Sequence, residues 1–76
     1  MEEFINELKK IKRNIDFENE KNLFDDGLLK SFDIIRIISM ITKEYDVTVP
    51  PSKIIPENFN SAEAMWKMIR EIQEED

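Results

Sequence analysis

Apolar side chains recur with a helical period in three stretches of the chain. The stretches cover residues 2–15, 31–45 and 60–75. Their apolar stripes consist of Phe4, Leu8, Ile11 and Ile15, then of Ile34, Ile35, Ile37, Ile38, Ile41 and Tyr45, and finally of Met65, Met68, Ile69 and Ile72. The pattern therefore predicts three main amphipathic helices.

The segments between these helices contain turn residues. Asp26-Gly27 marks a turn in a long first loop, where Gly27 is free to adopt a positive φ. Pro50-Pro51 cannot continue a helix, and Pro56 is suited to open a short one over the residues PENF. The side chains that we expect to hold the first loop against the core are Phe17, Leu23, Phe24, Leu28 and Leu29. The sequence thus predicts an all-α, small four-helix bundle with three main helices, one short helix and a long first loop.

Polar side chains suited to helix capping stand at two of the predicted starts. Ser31 is the natural N-cap of the second helix, with Asp33 in its first turn. For the last helix, either Asn60 or Ser61 can serve as the cap. The Asn60 alternative would place Glu63 at the reciprocal position of a capping box.

Composition narrows the class of function. The length fits one domain, over residues 1–76, with a single small core. The absence of Cys and His removes the thiol nucleophile, the usual general base and the usual transition-metal ligands. A net charge of -6 disfavours nucleic-acid binding unless a basic face is segregated. With no long apolar run and no signal peptide, we expect a cytoplasmic protein that does not insert into membranes.

The residues also argue against a catalytic or metal site. The acid-rich segment 16–27 has Lys21 where an EF-hand loop requires glycine. Ser31 lacks a histidine base, and a lysine that is its direct sequence neighbour is poorly placed to replace one. We therefore expect no enzyme. Ser31 is interpreted locally as a cap, at a position where free N–H groups and the helix dipole would also favour an attached phosphate.

The second helix has a mixed face opposite its apolar stripe. Phe32 and Met40 lie there beside Arg36, Lys43 and Ser39. Apolar side chains among charges favour an interaction surface. A wide apolar stripe, or cover by the long loop, would account for them equally well.

The segment LFDDGLLKSFDIIRIISMITKEYDVTVPPSKI resembles the acyl carrier protein family, without gaps from Leu23 to Pro50 and more loosely to the last helix. The resemblance implies that Ser31 carries a 4'-phosphopantetheine arm from coenzyme A, whose thiol holds an acyl or aminoacyl group as a thioester. LFDDGLL and VPPS are similar to stand-alone carriers, such as D-alanyl carrier proteins or carriers of peptide, polyketide or fatty acid synthesis. The implied partners of a monomeric carrier are a phosphopantetheinyl transferase, a loading ligase and a downstream acyltransferase or synthase.

The resemblance also implies a partner surface, formed by Lys30, Phe32, Arg36, Met40 and Lys43. Two departures from the family pattern stand out. Lys30 replaces an aspartate that commonly helps the transferase, which makes an unmodified interaction module of the same fold the alternative function. Arg36 and Lys43 replace acids of the recognition helix, which predicts partners with an acidic or apolar docking face.

Overall fold

The computed structural model describes residues 1–75, which form a bundle of four α-helices. The helices are α1 (Glu2–Ile11), α2 (Ser31–Tyr45), α3 (Pro56–Phe59) and α4 (Ala62–Glu74). One short 3₁₀ helix, Pro51–Lys53, precedes α3 and was not predicted. No β-strand occurs in this part of the chain. The predicted all-α bundle with three main helices, one short helix and a long first loop is confirmed; Asp76 of the predicted domain lies outside the described residues.

Helix α1 ends at Ile11, earlier than the apolar pattern predicts. The backbone of Lys12 leaves the helical region, with φ -139° and ψ 89°, while its N–H still donates to the Leu8 carbonyl. Ile15 is nevertheless buried. The helical period predicted too long a helix, because an apolar side chain such as Ile15 can also reach the core from the loop that follows.

Helix α2 has the predicted bounds, but its buried face is narrower than predicted. Ile34, Ile37 and Ile41 are buried, whereas Ile35 is 61% exposed. Successive residues of a helix point about 100° apart, so Ile35 cannot share the direction of Ile34. The expectation that Ile35 widens the core stripe was wrong. The helix ends at Tyr45, and the C-cap residue Asp46 adopts a left-handed conformation with φ 55°.

The long first loop is packed against the bundle by some of the predicted side chains. Phe17, Leu23 and Leu29 are buried, whereas Phe24 is half-buried. Leu28 is exposed, contrary to the prediction. The N–H groups of Leu28 and Leu29 both donate to the Leu23 carbonyl, so the two leucines follow one tight turn and only one of them faces inward.

Polar contacts at Asn60 also hold this loop. The side-chain oxygen of Asn60 accepts hydrogen bonds from the N–H groups of Phe24 and Asp25, each at 3.0 Å. Its side-chain nitrogen donates to the Asp25 carboxylate at 3.0 Å. The Leu23 N–H donates to the Asn60 carbonyl at 2.9 Å. The start of α4 and the middle of the first loop are therefore joined.

Ser61 caps α4, as one of the two predicted alternatives. Its hydroxyl oxygen accepts a hydrogen bond from the Ala64 N–H at 3.0 Å. The other alternative, a capping box from Asn60 to Glu63, is not formed, because the Asn60 side chain is engaged by the loop. Among residues 1–75, no helix has the length and apolar character needed to cross a membrane.

Candidate functional site

The start of α2 is capped by an acid and not by its serine. Lys30 occupies the N-cap position with an extended backbone, φ -99° and ψ 170°, and Ser31 is the first helical residue. The Asp33 carboxylate accepts a hydrogen bond from the Lys30 N–H at 3.0 Å. The prediction that Ser31 is the N-cap was therefore wrong, because the carboxylate in the first turn reaches back to that end of the helix.

Asp33 is buried, with 6% of its surface exposed, and its carboxylate interacts with a backbone N–H and an ammonium group. The hydrogen bond from the Lys30 N–H lowers the pKa of Asp33 below its ordinary value of 3.8, although burial acts in the opposite direction. The Lys12 ammonium, 3.3 Å from the carboxylate, lowers the pKa further. Asp33 thus remains ionised at neutral pH and links the segment after α1 to the start of α2.

Ser31 itself is exposed. Within the described residues its hydroxyl takes part in no hydrogen bond, since Asp33 provides the capping contact. It stands on the first turn of a 15-residue helix, where the dipole and the free N–H groups favour negative charge. The oxygen is therefore accessible and lies where an attached phosphate is electrostatically favoured.

An apolar groove begins beside Ser31. It has a volume of about 260 Å³ and is lined by Phe24, Ser31, Ile34, Ile35, Ile38 and Ile54. A smaller cavity of about 60 Å³ shares Phe24, Ile34 and Ile54 with it and continues towards α3. Apart from the serine, both linings consist of apolar side chains. The groove suits a hydrocarbon or another small apolar group.

Three of the predicted partner residues lie together on the solvent face of α2. Phe32, Arg36 and Lys43 are exposed. The Arg36 guanidinium carbon lies 5.9 Å from the centre of the Phe32 ring, within the range of a cation–π contact. This part of the predicted surface is accessible to a partner.

The other two predicted residues have different surroundings. Met40 is half-buried and packs against the core. Of the two interpretations of this residue, the one in which the bundle covers it therefore holds. Lys30 is exposed, but its ammonium turns back over the Gly27 turn, where φ is 76°. A Cβ on Gly27 would lie 3.3 Å from the Lys30 nitrogen.

Sequence reasoning missed Ile35 and the groove. Ile35 is 61% exposed and lies next to Ser31 along the groove. A stripe centred on Ile37 and Ile41 would have left Ile35 outside the core. No local signal could have placed Ile54 beside Ser31, because the length of α2, one connecting segment and the 3₁₀ helix separate them in the chain.

Comparison of the sequence with known proteins identifies two relatives of this chain. No protein-family model matches the chain. The chain is 37% identical over 54 residues to aminoacyl carrier protein 1 of Bradyrhizobium diazoefficiens, and equally similar to aminoacyl carrier protein 2 of that organism. Each similarity covers 71% of this chain but only 59% and 60% of the two relatives. The chain therefore spans about three fifths of the length of the curated relatives it matches.

Proposed function

Because the chain belongs to the acyl carrier protein family, we propose that it is an aminoacyl or acyl carrier with 4'-phosphopantetheine attached to Ser31. The observation that carries this proposal is the exposed Ser31 hydroxyl at the start of α2, beside an apolar groove. When attached, the arm supplies the thiol that holds the cargo as a thioester. The chain presents the group and performs no catalysis, and its lack of Cys and His is consistent with that role.

The start of α2 fits a phosphodiester. The first-turn N–H groups and the positive end of the helix dipole stabilise negative charge at Ser31. The nearest acid, Asp33, is turned inward and engaged by the Lys30 N–H and the Lys12 ammonium. Repulsion between that carboxylate and a phosphate is thereby reduced.

The apolar groove fits a small cargo. Protein sites for drug-sized ligands have volumes of roughly 300–1,000 Å³. The groove beside Ser31, at about 260 Å³, is smaller than that range. Phe24, Ile34 and Ile38 can shield a short acyl chain or one amino acid side chain from water. A small cargo also agrees with the word aminoacyl in the names of the two relatives.

Such a carrier requires three kinds of partner. A phosphopantetheinyl transferase attaches the arm from coenzyme A, and an amino-acid-activating ligase loads the cargo. An acyltransferase or synthase then removes it. A single amino acid such as D-alanine and a building block of peptide or polyketide synthesis are both compatible with the size of the groove.

The second candidate function is an interaction module that is never modified. The observation that favours it is Lys30, which stands where the family commonly has an aspartate that helps the transferase. Lys30 is exposed directly before Ser31, so a transferase would meet a positive charge at that point. The two functions differ in whether Ser31 is modified.

A measurement of the intact mass of the protein distinguishes the carrier from the unmodified interaction module. The protein is incubated with coenzyme A and a broad-specificity phosphopantetheinyl transferase, and the Ser31→Ala and Ser61→Ala variants are treated in parallel. We expect a mass gain of one phosphopantetheine in the wild type and in Ser61→Ala, and none in Ser31→Ala. Ser61 is the matched control because it also stands at a helix start but is 8% exposed.

The Lys30→Asp variant tests the alternative. If several transferases modify Lys30→Asp but leave the wild type unmodified, Lys30 prevents the attachment and the interaction module is the better description. If Ser31→Ala still gains the mass, the assignment of Ser31 is wrong.

A further inference from the structure

The solvent face of α2 is basic and apolar, in contrast to the chain as a whole. The chain has 17 acidic and 11 basic residues. The exposed residues of α2 are Ser31, Phe32, Ile35, Arg36, Ser39, Thr42, Lys43 and Glu44. Glu44 is the one acid among them and acts on Lys10 and Tyr45 at the end of the helix, whereas Asp33 is buried. The charge of this face therefore has the opposite sign to the net charge.

Basic side chains continue from this face towards the segment after α1. A surface depression lined by Lys12, Arg13, Gly27 and Leu28, among others, joins that segment to the Gly27 turn. The Lys30 ammonium lies against the same turn. Lys12 of this group is paired with the Asp33 carboxylate, whereas Arg13 and Lys30 form no salt bridge within residues 1–75.

The centre of the surface is apolar. Phe32 is 68% exposed, Ile35 is 61% exposed and Leu28 is 36% exposed. The Arg36 guanidinium lies over the Phe32 ring. Aromatic side chains and arginine are enriched in protein interfaces, and an apolar centre with a polar rim is their usual arrangement. We call this surface the basic docking face; it consists of Leu28, Lys30, Phe32, Ile35, Arg36 and Lys43.

The cations of the basic docking face form no salt bridge within residues 1–75, although Arg36 lies close enough to the buried Asp33 to help lower the pKa of that carboxyl. Elsewhere in that part of the chain, salt bridges engage Lys9, Lys10, Lys12 and Lys53. Arg36, Lys43 and Lys30 form none. Their charges are therefore available to another molecule.

We propose that the basic docking face binds a partner protein whose contact surface is apolar at its centre and acidic at its rim. The proposal rests on the proposed function and deepens it, because this face extends from Ser31 along α2 and the partner is then the enzyme that loads the cargo. The acidic remainder of the chain repels an acidic partner, whereas this face attracts it. Opposite signs of charge on different faces orient the encounter and raise its rate.

Charge reversal tests the proposal. Loading of the phosphopantetheinylated protein by its purified amino-acid-activating ligase is measured for Arg36→Glu, Lys43→Glu and the double variant. The matched control is the double variant Lys67→Glu, Arg70→Glu, which changes the net charge equally at two exposed cations of α4. We expect kcat/KM to fall about tenfold for each reversal on α2, mainly through KM, and to change less than about twofold in the control.

Salt provides a second readout. Raising the salt concentration from about 50 mM to about 300 mM shortens the distance over which the charges of the two proteins attract each other. The difference between the wild type and the Arg36→Glu, Lys43→Glu variant should therefore shrink. If that variant is loaded as efficiently as the α4 control at low salt, the proposal is overturned while the carrier function stands.

A peptide titration keeps the proposal testable if Ser31 proves to be unmodified. The probe is a synthetic helical peptide with leucines on one face flanked by glutamates, and its counterpart has lysines in place of the glutamates. We expect the wild type to bind the glutamate peptide more tightly than the lysine peptide, with NMR shifts at Phe32 and Ile35. Equal binding of both peptides overturns the proposal. Tighter binding of a single-stranded oligonucleotide or an anionic vesicle, lost in Arg36→Glu, Lys43→Glu, also overturns it.

Discussion

Two helices of the bundle begin beside a serine, and the two serines have opposite surroundings. At the start of α4, Ser61 is 8% exposed and its hydroxyl accepts a hydrogen bond from the Ala64 N–H. At the start of α2, Ser31 is exposed, and the Asp33 carboxylate makes the capping contact. The same residue type is thus part of the helix end in one case and separate from it in the other.

The comparison shows how a helix start can keep a reactive position free. Where the cap is the serine itself, a modification of the hydroxyl would break the cap. Where an acid in the first turn caps the helix, the hydroxyl can be modified without loss of that hydrogen bond. The start of α4 is also joined to the first loop by Asn60, whereas the start of α2 opens onto a groove. One end is built for stability, and the other is accessible.

Of the substitutions that test the two helix starts, Asn60→Ala is expected to have the largest effect on stability. The substitution removes two hydrogen bonds accepted from the first loop and one donated to Asp25. Since each contributes about 1 kcal/mol, the free energy of unfolding should fall by about 2–3 kcal/mol. Urea unfolding followed by the fluorescence of Trp66, whose ring packs 5.6 Å from that of Phe4, measures it.

The control for this substitution is Asn22→Ala, in the same loop. Asn22 is exposed, and its side chain forms no hydrogen bond within residues 1–75, so we expect a change below about 0.5 kcal/mol. Equal stability of the two variants would mean that Asn60 does not hold the loop to α4.

A smaller effect is expected at the acidic cap of α2. Asp33→Ala removes the capping acceptor and the contact with Lys12, and should cost about 1–2 kcal/mol. The exposed acid Asp26 provides the control, because Asp26→Ala should change stability by less than about 0.5 kcal/mol. A loss at Asp33 no larger than at Asp26 would contradict the capping role.

The pH dependence sharpens the same test. The pKa of Asp33 lies below 3.8 in the folded protein, so its stabilising effect is complete above the unfolded-state pKa. The effect is lost as the pH falls through the lower, folded-state pKa. The stability difference between the wild type and Asp33→Asn should therefore shrink between about pH 6 and pH 2. Urea unfolding at a series of pH values measures it; a constant difference would show that the charge of Asp33 does not contribute.

The smallest effects distinguish the two serines directly. Ser61→Ala should destabilise the protein by about 1 kcal/mol because it removes the hydroxyl that caps α4. Ser31→Ala should change the stability by less than about 0.5 kcal/mol, since its hydroxyl caps nothing. Thermal unfolding of the two variants side by side measures the difference. Equal losses would show that Ser31 also contributes to its helix end.

Periodicity and local chemistry determined much of the fold. The bounds of α2, the Gly27 turn with its positive φ and the proline that opens α3 all follow from a few neighbouring residues, which also limited the cap of α4 to Asn60 or Ser61. These features depend on backbone preferences and on hydrogen bonds between positions close in sequence. The resemblance to acyl carrier proteins likewise depends on the order of residues alone. All of them could therefore be predicted.

Tertiary structure decided how the candidate site is built. Ile35 faces solvent because α1 packs against α2 while Ile37 and Ile41 enter the core, and a helical period by itself cannot specify that direction. Asp33 became the cap, and not Ser31, because a buried carboxylate needs partners and finds them in the Lys30 N–H and in Lys12. The groove exists only because the segment after α2 returns Ile54 to the serine. The sequence alone determined that a serine would stand at the start of α2, and long-range packing determined its exposure and what surrounds it.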